Sequence, residues 1–162
     1  MSIMRKLIVL TFAVIVGNIA GCSTPTTSIQ NEKIEAEIMA TLKDFQGSYN
    51  SMDIDNISNH LNNPTTLIGP GGVSISIAQD NFNNAINPIM AYLDANDYKR
   101  SEWRNVDVKV LDRGLAIASA DVIQYGIGNA VIENFGLTFS MSHDGDNWKI
   151  STVATHPPSD QN

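Results

Sequence analysis

The spacing of apolar residues changes once along the chain, near Asn96. Before that point apolar residues recur at steps of three and four, which is typical of helices with one buried face. The longest such stripe predicts a helix over about 31–52. Its apolar positions are Ile34, Ile38, Leu42, Phe45, Tyr49 and Met52. After Asn96 apolar and polar residues alternate, which is typical of strands in a half-buried sheet.

Two shorter helices are predicted after the long one, and each begins at an aspartate that can cap it. Asp53 precedes the first of them, which should end before Pro64. Asp80 precedes the second. Short strands are expected between these helices, at 65–68 and 73–77, on either side of a glycine-rich turn.

The second half of the chain predicts four long strands joined by tight turns. Three helices followed by four antiparallel strands indicate an α+β fold. The strand over 115–125 has two faces, of which one carries Asp121 and the other carries small residues. The small residues are Ala116, Ala118, Ala120 and Val122. Because small residues suit a strand that a helix covers, we expect them to face inward and Asp121 to lie in solvent.

The N-terminus has the layout of an export signal. Arg5 and Lys6 precede an uninterrupted apolar stretch at 7–16, which is too short to span a bilayer as a stable helix. Small residues then lead to Cys22, the only cysteine of the chain. The sequence IAGC at 19–22 resembles the bacterial lipobox, in which the cysteine is acylated and the signal is cut before it.

We therefore expect residues 1–21 to be a lipoprotein signal peptide and Cys22 to become the lipidated first residue of the mature chain. Several acyl chains on one residue make such an anchor durable. The alternative is an ordinary buried or free cysteine at the end of a cleaved signal. Ser23 follows Cys22 in place of an aspartate. By the sorting habit of enteric-type cells, this predicts an envelope lipoprotein on the outer membrane, facing the periplasm.

The mature chain has room for one domain. Residues 22–31 are polar and are expected to form a tether, 32–156 to form the domain, and 157–162 to form a loose tail. Removing 1–21 takes away two of the ten basic residues and none of the 17 acidic ones, so the net charge falls from −7 to about −9. A surface this acidic repels phosphates, which argues against a nucleic-acid partner.

The order of the predicted elements resembles the nuclear transport factor 2-like superfamily, which includes the SnoaL-like cyclases and ketosteroid isomerase. The resemblance covers about 32–156, and its most specific piece is the turn at 144–146 followed by NWKI at 147–150. It implies a cone-shaped fold, in which a curved antiparallel sheet surrounds the helices and leaves a pocket at its open end. Many members pair through their sheets, so we expect a homodimer. Since no catalytic motif defines the superfamily, the resemblance predicts the fold but not an activity.

Asp121 is the best candidate for chemistry in such a cone. If it faced the pocket, desolvation would raise its pKa and allow it to act as a general acid or base. The resemblance implies an acidic residue and a tyrosine in isomerase members, and Tyr49 or Tyr125 could supply the hydroxyl. Trp103 could line the pocket, although an aromatic residue on a strand is more often part of the core.

No other motif points to a cofactor, a metal or a nucleophile. His60, His143 and His156 lack the spacing of metal ligands, and a lipidated Cys22 leaves no thiol. The glycine-rich stretches lack the residues and context of a dinucleotide or phosphate loop. We therefore expect no cofactor and no bound metal.

Three classes of function remain open on the sequence. The favoured one is an anchored lipoprotein whose domain binds an apolar small molecule or an envelope protein partner. The second is an isomerase, dehydratase or cyclase that uses Asp121 for proton transfer. The third is a structural or assembly module whose cone is filled by its own side chains. An open apolar pocket would favour the first two classes, and a filled cone would favour the third.

Overall fold

The structure is a computed structural model that describes residues 25–72 and 74–159. The expected signal peptide and the expected lipidation site, Cys22, lie outside these residues. The helices are α1 (Pro25–Asn50), α2 (Ile54–Asn59) and α3 (Phe82–Ala95). The strands are β1 (Leu61–Ile68), β2 (Ser74–Ile77), β3 (Arg100–Val110), β4 (Leu115–Tyr125), β5 (Val131–His143) and β6 (Trp148–His156). Within the described part of the chain, no helix has both the length and the apolar character needed to cross a bilayer.

Helix α1 buries the predicted stripe but begins earlier than the sequence indicates. Its buried positions are Ile34, Ile38, Leu42 and Phe45. The helix starts at Pro25, so most of the tether predicted over 22–31 is helical instead. Proline has no backbone N–H and a fixed φ, and it is well tolerated in the first turn of a helix. The polar residues that were interpreted as a tether therefore extend the helix past its buried part.

The two shorter helices differ in how their first turns are stabilised. The side chain of Asp53 accepts a hydrogen bond from the Asn56 backbone N–H at 3.0 Å, and so caps α2 as predicted. The prediction for Asp80 is wrong. A short 3-10 turn over Gln79–Asn81 precedes α3, and Asn81 occupies the N-cap position without a side-chain hydrogen bond.

All six strands form one sheet in the order β2-β1-β6-β5-β4-β3. The four long strands are antiparallel neighbours, as predicted. The two short strands join this sheet as well, and β1 pairs with β6 in parallel, with Leu67 opposite Val153. The sheet is therefore mixed rather than antiparallel throughout. A parallel pair requires a long crossover connection, which the chain between β1 and β6 provides.

The inner face of β4 is the alanine face, as expected. Ala116, Ala118, Ala120 and Val122 are at most 3% exposed. Helix α1 packs against the sheet beside them, mainly against β3. The aromatic residues Phe45, Trp103 and Phe139 fill the space beside them, and the Trp103 and Phe139 rings stack with their centroids 5.4 Å apart. The helices and the inner face of the sheet thus enclose one core.

Residues 157–159, the described part of the tail expected over 157–162, pack against the sheet. Pro158 is buried, and Ser159 donates two hydrogen bonds to the carboxylate of Asp121 on β4. Residues 160–162 lie outside the described part. The pattern of two prolines correctly ends the strand, but it does not show that the next residues pack against the sheet.

Candidate functional site

The open end of the fold contains a cavity of about 1010 Å³ between the inner face of the sheet, α1 and α3. Three strands contribute two successive rows of side chains to its wall. The first row is polar and consists of Ser101, Gln124 and Glu133. The second row is apolar and consists of Trp103, Val122 and Phe135. The wall therefore changes from polar to apolar along the strands.

Helix α1 contributes two side chains to the cavity, one for each row. Both Phe45 and Tyr49 line it, one turn apart on the same face of the helix. The ring of Phe45 lies 6.2 Å from that of Trp103, centroid to centroid. The hydroxyl of Tyr49 forms a hydrogen bond with Gln124. The ring of Phe45 thus lies against the apolar row, and the hydroxyl of Tyr49 lies against the polar row.

Burial raises the pKa of Tyr49 to about 12. The nearby Tyr98 and Glu133 raise it further, whereas the hydrogen bond with Gln124 lowers it. A side-chain amide can donate to a hydroxyl through its nitrogen or accept from it through its oxygen. Because its pKa is raised, the Tyr49 hydroxyl remains protonated at neutral pH.

A network behind the polar row fixes the position of β3 against α1. The Tyr98 hydroxyl and the Ser101 backbone N–H both donate to Asn50 Oδ1, each at 2.7 Å. The side-chain amides of Gln46 and Asn50 donate to the Ser101 carbonyl, and the Ser101 and Tyr98 hydroxyls are 2.8 Å apart. These groups satisfy one another and connect β3 to α1 beside the cavity.

One polar atom of the wall is not satisfied in this way. Gln124 is 3% exposed, and its Oε1 has no hydrogen-bond partner among the residues that the structure describes. The protonated Tyr49 hydroxyl lies beside this amide and can donate to that oxygen.

The rim of the cavity is apolar and accessible. Ile75, Ile89 and Tyr92 line the cavity and are 57%, 37% and 48% exposed. The lining residues within the described ranges include Glu133 and His156 but neither lysine nor arginine. A cavity of this kind favours an apolar molecule without negative charge.

Asp121 lies on the opposite, outer face of the sheet and is not part of this cavity. Its Oδ2 accepts from Asn105 Nδ2 at 2.7 Å, and its Oδ1 accepts from the Ser159 N–H at 2.8 Å. Asn105 has a positive φ of 51° and lies where the register between β3 and β4 shifts. This bulge turns the Asn105 side chain toward Asp121.

These partners change the expected chemistry of Asp121. Hydrogen bonds from the Ser159 hydroxyl, from Asn105 and from the Ser159 backbone hold its pKa below the usual value, and His156 contributes to the same effect. A general acid in a cavity would require a raised pKa. Asp121 is also only 9% exposed, so it is not the solvated side chain that was expected. It connects the outer face of the sheet to the C-terminal segment.

The other predicted pocket residues divide between the two faces. Tyr49 and Trp103 line the cavity. Tyr125 lies on the outer face, where the guanidinium of Arg100 stacks 4.2 Å above its ring. Across the described ranges no three His, Asp or Glu side chains come close enough to hold a metal ion.

The polar row of the cavity wall was not singled out on the sequence. It includes Gln124 and Glu133, at opposite positions on β4 and β5. The alternation that places Ala120 and Val122 inward continues to Gln124, so a polar residue at that position is a signal for a cavity.

The comparisons with known proteins agree with this architecture. Residues 35–158 match the family described as NTF2-like protein, DUF6841. The chain belongs to this NTF2-like family. No curated protein is significantly similar to this NTF2-like chain.

Solved structures show the same fold at low sequence identity. An NTF2-like protein with a cystatin-like fold from Novosphingobium aromaticivorans has a TM-score of 0.67 and 11% identity, covering 86% of this chain and 93% of that one. A candidate scytalone dehydratase from the same organism has a TM-score of 0.63 and 7% identity, with 79% and 86% covered. A candidate ketosteroid isomerase from Shewanella frigidimarina has a TM-score of 0.59 and 16% identity, with 72% and 91% covered.

Proposed function

We propose that this NTF2-like domain binds an apolar small molecule in its cone-shaped cavity while an acylated Cys22 holds the protein at the membrane. The observation that carries the binding function is the open cavity of about 1010 Å³ with its exposed apolar rim. This volume is at the upper end of the range for small-molecule sites, roughly 300–1,000 Å³. The side chains of the domain leave the cone open, whereas a purely structural module would require them to fill it.

The low sequence identity to the candidate dehydratase and isomerase supports the fold and not their reactions. Asp121, the carboxylate on which an enzyme hypothesis depended, faces away from the cavity. Tyr49 stays protonated inside it, and Glu133, the one carboxylate among the described lining residues, is an exposed side chain. A binding role therefore fits the cavity better than proton transfer does.

The anchor part of the proposal rests on the sequence IAGC at 19–22 behind its apolar stretch. An acylated Cys22 would hold the domain at the envelope, and the absence of an aspartate at position 23 favours the outer membrane, facing the periplasm. Intact-mass analysis of the membrane fraction should show a lipid-modified Cys22. A Cys22→Ser protein that remained in the membrane fraction would contradict the anchor.

Binding in the cavity can be tested with N-phenylnaphthylamine, a neutral apolar dye whose fluorescence increases when it leaves water. The wild-type mature domain should bind it with micromolar affinity. Ile75→Glu places a charge on the apolar rim and should weaken binding by roughly tenfold, because the dye must pass or contact this position.

Ile127→Glu is the matched control for this experiment. Ile127 is 60% exposed, close to the 57% of Ile75, but it does not line the cavity. Equal affinities of the wild type and Ile127→Glu, with a loss only in Ile75→Glu, would locate the dye in the cavity. A wild-type domain that does not bind the dye would contradict the binding function. Equal losses of affinity in the two variants would show that the dye binds outside the cavity.

A further inference from the structure

Glu133 is the one carboxylate among the described residues that line the cavity. It alternates along β5 with Phe135 and Leu137, which line the same cavity, so the three side chains point to the same face of the sheet. Glu133 is exposed, whereas Leu137 is buried further along the strand. The carboxylate therefore lies toward the open end of the cavity, where it is accessible to a molecule that enters.

Within the described ranges, no basic side chain neutralises this carboxylate. No lysine or arginine there lines the cavity, and none forms an ion pair with Glu133. His156 also lines the cavity, but each of its ring nitrogens has a partner, the Thr138 hydroxyl or the Pro157 carbonyl. Glu133 is thus available to pair with a positive charge that a bound molecule supplies.

The negative charge of Glu133 also acts inside the cavity. Burial is the main cause that raises the pKa of Tyr49 to about 12, and the nearby Tyr98 and Glu133 raise it further. Tyr49 belongs to α1, which lies across the cavity from β5. The Coulomb interaction that disfavours a phenolate at this position favours a cation beside it.

The rest of the cavity wall is rich in aromatic rings. Six aromatic side chains of the described chain line it: Phe45, Tyr49, Phe82, Tyr92, Trp103 and Phe135. Aromatic rings offer a large apolar contact area, and their faces attract positive charge. The wall therefore suits an apolar body that carries a cationic group, whereas an anionic group would be repelled by Glu133.

We propose that the ligand is a cationic amphiphile, an apolar body that carries one amine or quaternary ammonium group. Its positive charge lies beside the Glu133 carboxylate at the open end of the cavity, and its apolar body packs against Trp103, Val122 and Phe135. This inference rests on the proposed binding function and specifies the chemical class of ligand that the cavity selects. The charge distinguishes this class from fatty acids and from neutral lipids.

Three probes with similar alkyl chains separate these possibilities: decyltrimethylammonium, decanol and decanoate. Each competes with N-phenylnaphthylamine for the wild-type domain at low ionic strength, below the concentration at which the probe forms micelles. The charge of decyltrimethylammonium does not depend on pH. At neutral pH it should bind roughly fivefold more tightly than decanoate, because Glu133 attracts the cation and repels the anion.

Glu133→Gln removes the charge at an exposed position and keeps the size of the side chain. Its affinity for decyltrimethylammonium should fall roughly threefold to fivefold, while its affinity for neutral decanol should change by less than about twofold. Glu35→Gln is the matched control, because Glu35 is exposed on α1 and does not line the cavity. It changes the net charge of the chain equally but should keep the wild-type affinity for the cation.

Charge reversal provides a second test of the same position. Glu133→Lys should bind decanoate more tightly than decyltrimethylammonium, since the lysine attracts the anion and repels the cation. Glu35→Lys should keep the preference of the wild type for the cation. Circular dichroism identifies any variant that has failed to fold.

The outcomes separate this inference from the function on which it rests. A wild type that binds the dye and decanol, but the cation no more tightly than decanoate, overturns the cationic class and leaves apolar binding intact. A preference for the cation that a folded Glu133→Gln protein retains, or loses no more than Glu35→Gln does, overturns the role of Glu133. If the wild type binds neither the dye nor any of the three probes, the proposed function fails as well.

Discussion

Gly136 lies on the outer face of the sheet, where His156 and Pro157 pack closely against it. It lies between Asp121 on β4 and His156 on β6. The His156 ring occupies the space above Gly136, with Nδ1 2.7 Å from the Pro157 carbonyl and Nε2 3.0 Å from the Thr138 hydroxyl. Nδ1 is therefore the donor to the carbonyl. A position without a side chain thus allows the chain after β6 to turn back across the sheet.

Gly136→Ala should destabilise the protein by about 1–3 kcal/mol. A Cβ at this position would lie 2.2 Å from His156 Cε1 and 2.9 Å from the Pro157 carbonyl oxygen, so both must move. Gly47→Ala is the control, because Gly47 is exposed in α1 and a Cβ there would meet nothing within 4 Å. That change should stabilise the helix by about 0.5–1 kcal/mol. Urea unfolding measures both, and an unchanged midpoint for Gly136→Ala would contradict the crowding.

Asp121 should make stability depend on pH. Because its pKa is lowered in the folded protein, its carboxylate contributes stability above the pKa of the unfolded chain, about 3.9. This contribution is lost as the pH falls through the folded-state pKa. Asp121→Asn should therefore be less stable than the wild type at pH 7, and the difference should disappear in acid.

The comparison requires urea unfolding of both proteins at several pH values from neutral to acidic. Asp107→Asn serves as a control, since Asp107 is an exposed carboxylate on the neighbouring strand β3. A stability difference between the wild type and Asp121→Asn that stays constant with pH would show that the lowered pKa is not responsible.

The sequence predicted the faces of β4 correctly, but not the surroundings of individual side chains. Alternation placed Ala118 and Ala120 inward, and hence Asp121 outward. The partners of Asp121 come from a bulge at Asn105 and from Ser159 beyond the last strand. Neither partner follows from a period of two, because a bulge interrupts that period and the C-terminal segment has none.

At the scale of elements, α1 does more than cover the core. Its last turns bond to the start of β3, through Gln46 and Asn50. These bonds place Ser101 beside Tyr98 and hold the polar row of the cavity in position. The apolar stripe of α1 was readable from the sequence because helical spacing repeats. The bonds to β3 were not, because Gln46 and Asn50 resemble ordinary polar residues of an exposed helix face.

Asn50→Ala should destabilise the protein by about 1–3 kcal/mol, since it leaves the Tyr98 hydroxyl and the Ser101 N–H without their common acceptor. Asn84→Ala makes the same change at an exposed position of α3 and should be neutral or slightly stabilising. Thermal unfolding followed by circular dichroism compares the two. Equal melting temperatures for Asn50→Ala and the wild type would contradict this role of Asn50.

At the scale of the whole molecule, the outer face of the sheet is partly apolar at one end. Leu111, Leu115 and Ile117 are 46%, 40% and 42% exposed around the turn between β3 and β4.

The order of the elements was enough to predict the fold, because each element has its own periodicity. The parallel pairing of β1 with β6 was not predicted, because it joins two distant segments and leaves no local signal.

We propose that two copies pair through this outer face, at the apolar end. Ile117→Lys should then convert a dimer to a monomer, because it would bury two like charges across the two-fold axis. Light scattering of the mature domain at tens of micromolar measures the mass. Ile127→Lys, at a position that is 60% exposed away from this end, should remain a dimer. A wild-type protein that is monomeric under these conditions would contradict the pairing.

The position of β6 also has a consequence for how the chain acquires its structure. Among the six described strands this one is synthesised last, yet it lies in the interior of the sheet between β1 and β5. The hairpin of β1 and β2 has no other neighbour in the sheet until β6 arrives. The complete sheet therefore cannot form strand by strand in chain order, because β1 and β2 join it only through β6. Such long-range pairing is slow to form, so the edge of β1 stays unpaired for longer than it would in a chain of hairpins.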